Sequence, residues 1–169
     1  MNIKLIAMAA VAAFATACAS TPPVDNTPPP PPARVETPPA VDPGPTPGSV
    51  QHFVETAGDR VFYALDRHDL TDEGRATLRR QAAWLASFSD ARILMAGNCD
   101  ERGTREYNLA LGARRANAAR DYLISQGVDP SRISTVSYGK ERPTCNDSNE
   151  SCWAVNRNAT TTIVSGYTN

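Results

Sequence analysis

The residues best suited to chemistry lie between Gly97 and Asn117. An apolar run, Ile93 to Ala96, leads into Asn98-Cys99-Asp100-Glu101-Arg102-Gly103-Thr104, and a helix-forming stretch follows through Leu109, Leu111, Arg114, Arg115, Ala116 and Asn117. An ionised Asp100 only accepts hydrogen bonds, whereas Arg115 presents a planar fork of donors that fits a carboxylate. An anion and a cation brought together make a receptor for a zwitterionic group. Arg115 lies ten residues after Arg105, which is about 15 Å along a helix. Helical side chains lean toward the N-terminus and arginine is long, so its guanidinium reaches back. Backbone N–H groups at Gly103–Arg105 add donors for a carboxylate. Two structural alternatives use the same residues: an Asp100–Arg115 salt bridge that only supports the fold, or a helix-capping Asp100 with a solvated Arg115.

The chain has little for bond-breaking chemistry. Its two histidines, His52 and His68, are not spaced as metal ligands, and no Cys–His pair is evident. Ser137 and Lys140 have the S-x-x-K spacing of penicillin-binding enzymes. That spacing works on one face of a helix, whereas here Ser137 ends a strand and Gly139 follows. The acids from Asp69 to Glu73 read as helix-start charges rather than a metal site. No cofactor and no metal is expected. Seventeen Lys and Arg stand against eighteen Asp and Glu, a net charge of −1, which leaves no basic surface for nucleic acid.

The elements that must position these residues are legible from period and caps. Gln51–Thr56 and Arg60–Ala64 read as short strands joined by a turn at Ala57-Gly58. Thr71 is an N-cap, with Asp72 and Glu73 suiting the helix dipole. The helix it opens runs to about Ser87 and buries Leu78, Ala82, Trp84 and Leu85. Arg92–Gly97 is apolar on both faces, as in a central strand. A second helix runs from Arg105 to Gln126, with Leu109, Ala116 and Leu123 as its buried stripe and Gly127 as its stop. Ile133–Tyr138 alternates, with Val136 and Tyr138 inward. A polar loop, a short helix near Trp153 and a closing strand at Ala159–Ser165 complete the pattern. Strands separated by helices predict an α/β-type sandwich: a mixed sheet with two main helices on one face. That domain occupies residues 49–169.

The first 48 residues have another character. Lys4, an apolar run from Leu5 to Phe14 and Ala15-Thr16-Ala17 form a secretory signal peptide over residues 1–17. Cys18 follows directly, and small residues before a Cys resemble the bacterial lipobox, although Ala15 stands where Leu is usual. This makes Cys18 the lipidation site, carrying fatty acyl chains such as palmitate. Ordinary cleavage after Ala17 is the alternative. In lipoprotein sorting an Asp after the Cys commonly retains the protein at the inner membrane, so Ala19 suggests the outer one. Residues 18–48 hold twelve of the 14 prolines and read as an extended, semi-rigid linker. At the polyproline rise it spans at most about 90 Å.

Cys145 and Cys152 lie seven apart in a polar loop of an exported chain, where an oxidising compartment favours a disulfide. Zinc is the rival, but no His lies near either thiol and a closed site needs four ligands. Cys99 is left as a free, partly buried thiol.

At Asn98–Ala116 a resemblance becomes specific. Asp100-Glu101-Arg102-Gly103-Thr104, Glu106-Tyr107-Asn108, Leu111-Gly112 and Arg114-Arg115-Ala116-Asn117 resemble the peptidoglycan-associated lipoproteins of the OmpA-like C-terminal domain family. Val136 to Pro143 is similar to the family's next signature, and Asn156-Arg157 to the start of its last. The resemblance spans about Val61 to Val164. It implies non-covalent binding of peptidoglycan through the diaminopimelate of the stem peptide, with an Asp on its ammonium and an Arg on its carboxylate. By motif position these are Asp100 and Arg115, with Asn108 and Thr104 as helpers and Arg157 carried over from the last signature. It also implies partnership with the Tol system, including the periplasmic protein TolB, in cell division, and residence on the periplasmic face of the outer membrane through a lipid anchor. The sequence departs from the pattern at Ala64, where an Asp is usual, at Asn98, often His, and at Asn158, usually Arg. A wall-cutting enzyme and a structural envelope protein without ligand are the alternative functions.

Overall fold

The computed structural model describes residues 44–168. The leader at 1–17, Cys18 and the linker up to residue 43 lie outside the described residues. Four strands form one mixed sheet: β1 (Arg60–Phe62), β2 (Arg92–Asn98), β3 (Ile133–Gly139) and β4 (Asn158–Ser165), in the order β1-β4-β2-β3. β2 pairs parallel with β3 and antiparallel with β4, and β1 pairs antiparallel with β4. The last strand therefore does not close the sheet at an edge. It slots between β1 and β2, which makes both β2 and β4 central.

Two long helices cover one face, as the alternation of strands and helices predicts. α2 (Asp72–Ser87) is capped by Thr71, whose hydroxyl accepts from Gly74 N–H, and buries Leu78, Ala82, Trp84 and Leu85. α3 (Arg105–Ser125) is capped by Thr104, which accepts from Tyr107 N–H. Its end is a Schellman turn: Gly127 sits at φ 94°, Val128 N–H reaches Leu123 O, and Gly127 N–H reaches Ile124 O. Val61, Ile93, Met95, Ile133, Ala159 and Ile163 of the sheet share one core with Leu78, Leu85, Ala116, Ala119 and Leu123. Phe62, Thr162 and Val164 are exposed.

Two expectations are corrected here. Gln51–Thr56 is not a strand but part of a helix, α1 (Val50–Ala57), capped by Ser49. The buried residues Phe53 and Ala57 are four apart, a helical spacing, and the serine cap outweighs the β-prone valines. Nor do Val136 and Tyr138 point into the core: both are half-buried. Ser137 takes the inward place and donates to Leu109 O of α3 at 2.7 Å, while Tyr138 lies under the Arg142 guanidinium. The inward position near the end of β3 is the small Ser137, where α3 approaches closely. A Cβ added at Gly97 of β2 would stand 1.8 Å from Gly112 O of α3.

α4 (Glu150–Asn156) follows a loop closed by the Cys145–Cys152 disulfide, with Cα atoms 5.2 Å apart. Cys99 is free and buried. Among the described residues no helix is long and apolar enough to cross a membrane, and no cluster of His, Cys, Asp and Glu is arranged to hold a metal ion.

Candidate functional site

Where β2 ends and α3 begins, a cleft of about 230 Å³ opens, lined by Leu65, Asp66, Cys99, Asp100, Arg102, Gly103, Tyr107, Asn108, Leu111 and Arg115. It is a product of the close β2–α3 approach. The strand delivers Cys99 and Asp100 to the cleft, and the first three turns of the helix deliver Tyr107, Asn108, Leu111 and Arg115.

Arg115 is the central side chain. It lies on the core face of α3 and is 0% exposed, so it is not solvated. Nor does it meet Asp100: among the described residues it has no ion pair. Instead it donates through Nε to Arg67 O at 2.8 Å, through Nη1 to Asn98 O at 2.8 Å and Cys99 Sγ at 3.4 Å, and through Nη2 to Ala64 O at 3.2 Å. Its charge also lies 5.2 Å from the Tyr63 ring centroid, and Tyr63 O–H returns a hydrogen bond to Arg115 O. Burial pulls the Arg115 pKa below the usual guanidinium value, against the opposing pull of Cys99 and Tyr63. The result is a fixed, dry cation at the wall of a cleft, held by carbonyls rather than by a counter-charge.

Asp100, 5% exposed, has its own partners. Arg102 donates to it from Nη2 at 2.7 Å, from Nε at 3.3 Å and from its backbone N–H at 3.1 Å, and Arg157 Nη1 donates at 3.3 Å. Burial alone would raise the Asp100 pKa, but these bonds outweigh it and hold the carboxyl below the usual carboxylate range. A folded-state pKa below the unfolded one gives stability that is complete above the unfolded value of about 3.9 and fades as pH falls toward the folded one. Thr104, rather than Asp100, caps α3.

The other expected residues take supporting places. Asn108 is buried and donates to Arg102 O at 2.7 Å and Thr104 O at 3.1 Å, which fixes the loop before α3. Thr104 is exposed and lies off the cleft lining. Arg157 does not line the cleft either; it stands behind Asp100, bound also to Glu150 Oε1 at 2.7 Å and Tyr63 O at 3.2 Å. Arg102 lies over the Trp153 ring at 4.1 Å from its centroid, and Lys140 Nζ ties down Glu101 O and Gly103 O. At the departures from the family pattern, Ala64 contributes its backbone carbonyl to Arg115. Asn98 Nδ2 donates to Asn158 Oδ1 at 2.8 Å, so these two replacements satisfy each other. Sequence reasoning missed Asp66 and Tyr107, whose carboxylate and hydroxyl are hydrogen-bonded to each other across 41 residues. That bond raises the Tyr107 pKa. No local pattern links the two positions.

A sequence model of the OmpA family matches residues 62–157. The peptidoglycan-associated lipoproteins of Mesorhizobium japonicum and Rhizobium meliloti are 53% and 52% identical over 118 residues, which cover 70% of this chain and 70% and 67% of theirs. The crystal structure of the peptidoglycan-associated lipoprotein from Burkholderia pseudomallei matches with a TM-score of 0.61 at 40% identity, over 63% of this chain and 90% of that one. The C-terminal domain of Helicobacter pylori MotB shares the fold, with a TM-score of 0.60 at 19% identity over 63% of this chain and 84% of that one. With these matches and a mixed sheet covered by α2 and α3, the chain belongs to the OmpA family, alongside the peptidoglycan-associated lipoproteins.

Proposed function

We propose that this protein binds peptidoglycan non-covalently by taking the zwitterionic end of diaminopimelate into the cleft at the start of α3. One observation carries the reading: Arg115 is a fully buried cation with no carboxylate partner among the described residues, and it lines a cleft that Asp100 also lines. A buried charge held by carbonyl dipoles, a thiol and an aromatic face, with no counter-charge, favours an incoming anion. Its four hydrogen bonds leave one of five guanidinium N–H groups for a ligand carboxylate. Asp100 supplies the negative charge for the ammonium, which would take the place of one of the donors now on its carboxylate. The protein is not an enzyme; it groups with lipoproteins named for their association with peptidoglycan.

In this reading residues 1–17 are a signal peptide, Cys18 carries the lipid anchor in the outer membrane, residues 18–48 span the gap to the wall, and 49–169 bind it. The domain works with TolB and other Tol components in envelope attachment during division. Several acyl chains, each CH₂ contributing about 0.8 kcal/mol, hold such a protein stably on a membrane.

Two experiments test this. Asp100→Asn should weaken retention on purified sacculi by about tenfold or more, since a charged hydrogen bond is lost. Free diaminopimelate should displace the parent protein from the same sacculi. Retention unchanged in the variant and insensitive to diaminopimelate would sink the reading. Separately, Cys18→Ser should move the protein out of the outer-membrane fraction once the sacculus is digested. A Ser variant that still fractionates with membrane would show that Cys18 is not the anchor.

A further inference from the structure

The groups that brace Asp100 from outside the cleft come from one short element. α4 presents Glu150 and Trp153 from its first turn, and Arg157 is its C-terminal cap. The Trp153 ring lies under the Arg102 guanidinium, and Trp153 Nε1 donates to Glu101 Oε1 at 2.9 Å. Glu150 Oε1 accepts from Arg157 Nη2 at 2.7 Å, and its Oε2 stands 3.8 Å from Arg102 Nη2. Arg102 and Arg157 are the two guanidiniums on Asp100. Both side chains that hold the acid therefore rest on α4, although Glu150, Trp153 and Arg157 all lie off the cleft lining.

A helix of seven residues does not hold itself, because too few hydrogen bonds repay its nucleation. α4 is fixed at its two ends. Asn149 caps the first turn by accepting from Cys152 N–H at 3.0 Å. At the last turn the Asn156 side chain accepts from Thr144 N–H at 2.8 Å and Cys145 N–H at 3.0 Å, and donates to Cys145 O at 2.7 Å. The Cys145–Cys152 bridge joins the two ends: Asn156 grips the backbone at Cys145, and the bridge carries that anchor to the first turn. Cys152 is buried and Cys145 half-buried, whereas residues 146–150 are all exposed. That stretch, Asn146-Asp147-Ser148-Asn149-Glu150, has no apolar side chain with which to pack. With the bridge open, the loop gains conformations that the crosslink forbids, and the first turn of α4 moves with it.

We infer that the Cys145–Cys152 bridge is the positioning device of the wall site: it acts through Glu150 and Trp153 on the Arg102–Asp100 pair, and the grip on diaminopimelate depends on its being closed. The inference rests on the proposed reading of the cleft as a diaminopimelate site. Opening the bridge takes a dithiol reductant. Its thiolate attacks Sγ of Cys145, the more exposed of the two, and Cys152 leaves as a thiolate and takes up a proton. The reductant's second thiol then displaces Cys145, so the protein gains two electrons and two protons and the reductant departs as its own disulfide.

The test is calorimetric titration of the purified full-length chain with diaminopimelate, well below its melting temperature. The dithiothreitol-reduced chain and the Cys145→Ala/Cys152→Ala variant should each bind about tenfold more weakly than the oxidised parent, as expected when a charged hydrogen bond to the ligand is no longer held in place. Re-oxidation should restore the parent affinity. A bridge with a merely structural role would lower Tm and leave this affinity unchanged. Trp153→Ala, with the bridge intact, should show a similar loss, and Trp153→Phe, which keeps a ring under Arg102, should recover most of it. Equal affinity with the bridge open and closed overturns the assignment and leaves the cleft reading in place. If the bridge-free chain has lost its native circular dichroism, Trp153→Ala decides, and parent affinity in that variant overturns the assignment. An oxidised parent that does not bind diaminopimelate overturns the cleft reading and this inference with it.

Discussion

Replacing Arg115 by methionine is expected to cost the fold about 3–5 kcal/mol, because it takes a charged donor from three carbonyls at about 1–3 kcal/mol each. For a domain of this size that lowers Tm by roughly 10–20 °C. Methionine fills much of the volume but serves none of the acceptors. Arg67 O and Asn98 O lose the guanidinium donors that now reach them, and Ala64 O keeps the Arg67 N–H but loses the Arg115 bond. These carbonyls belong to two segments far apart in sequence, the turn after β1 and the end of β2, so the loss loosens the cleft on both sides. Lysine is no substitute: its ammonium is a point donor and cannot serve acceptors spread around a planar fork. A thermal melt by circular dichroism checks this, and a Tm within about 2 °C of the parent would be incompatible with the structural role. Wall binding should fall as well, so Arg115 variants report on stability and affinity together. Asp100→Asn, which leaves the α3 clamp intact, is the cleaner probe of binding.

The second large effect is expected at Gly97. Its inward Cβ would meet Gly112 O at 1.8 Å and Gly112 C at 2.6 Å. Both contacts are backbone, so neither can rotate away, and α3 must lift off β2. Overpacking of this kind commonly costs 1–3 kcal/mol, and with main chain on both sides we expect Gly97→Ala to cost about 3 kcal/mol or more. The displacement would also stretch the bond from Arg115 Nη1 to Asn98 O, next to the substituted residue. Gly112→Ala meets Ser137 Oγ at 2.4 Å and Gly97 O at 2.8 Å; its hydroxyl contact can rotate, so the cost should be smaller. Gly127→Ala is the control: its Cβ meets nothing within 4 Å at φ 94°, leaving only the left-handed cost of about 1 kcal/mol. Chemical denaturation of the three variants should rank them Gly97, Gly112, Gly127. A Gly97→Ala domain as stable as Gly127→Ala would contradict the close approach.

The sequence by itself determined the elements with strong local signals. Thr71 announced the start of α2, Gly127 the end of α3, and the unbroken apolar run at Ile93 the central strand. A cap or a breaker acts within one turn of the chain, so its signal is local and legible. The Cys145–Cys152 bridge was readable for the same reason, being a short loop between two thiols. α1 was not: a segment of eight residues gives little more than two helical turns in which to tell period 3.6 from period 2. On α3 the buried stripe includes Asn108 and Arg115, so apolar periodicity could not mark its full inner face. It placed Leu109 inside, where it is half-buried.

Motif resemblance singled out Asp100 and Arg115, but their relation was set only by tertiary structure. Each proved to be held by other groups: Asp100 by Arg102 and Arg157, and Arg115 by carbonyls of Ala64, Arg67 and Asn98. Asp66 and Tyr107 became neighbours only once β1 and α3 were packed. Periodicity and capping specify which side of an element is buried and where it stops. What a buried polar group bonds to depends on what lies across from it, and that is decided when the layers close.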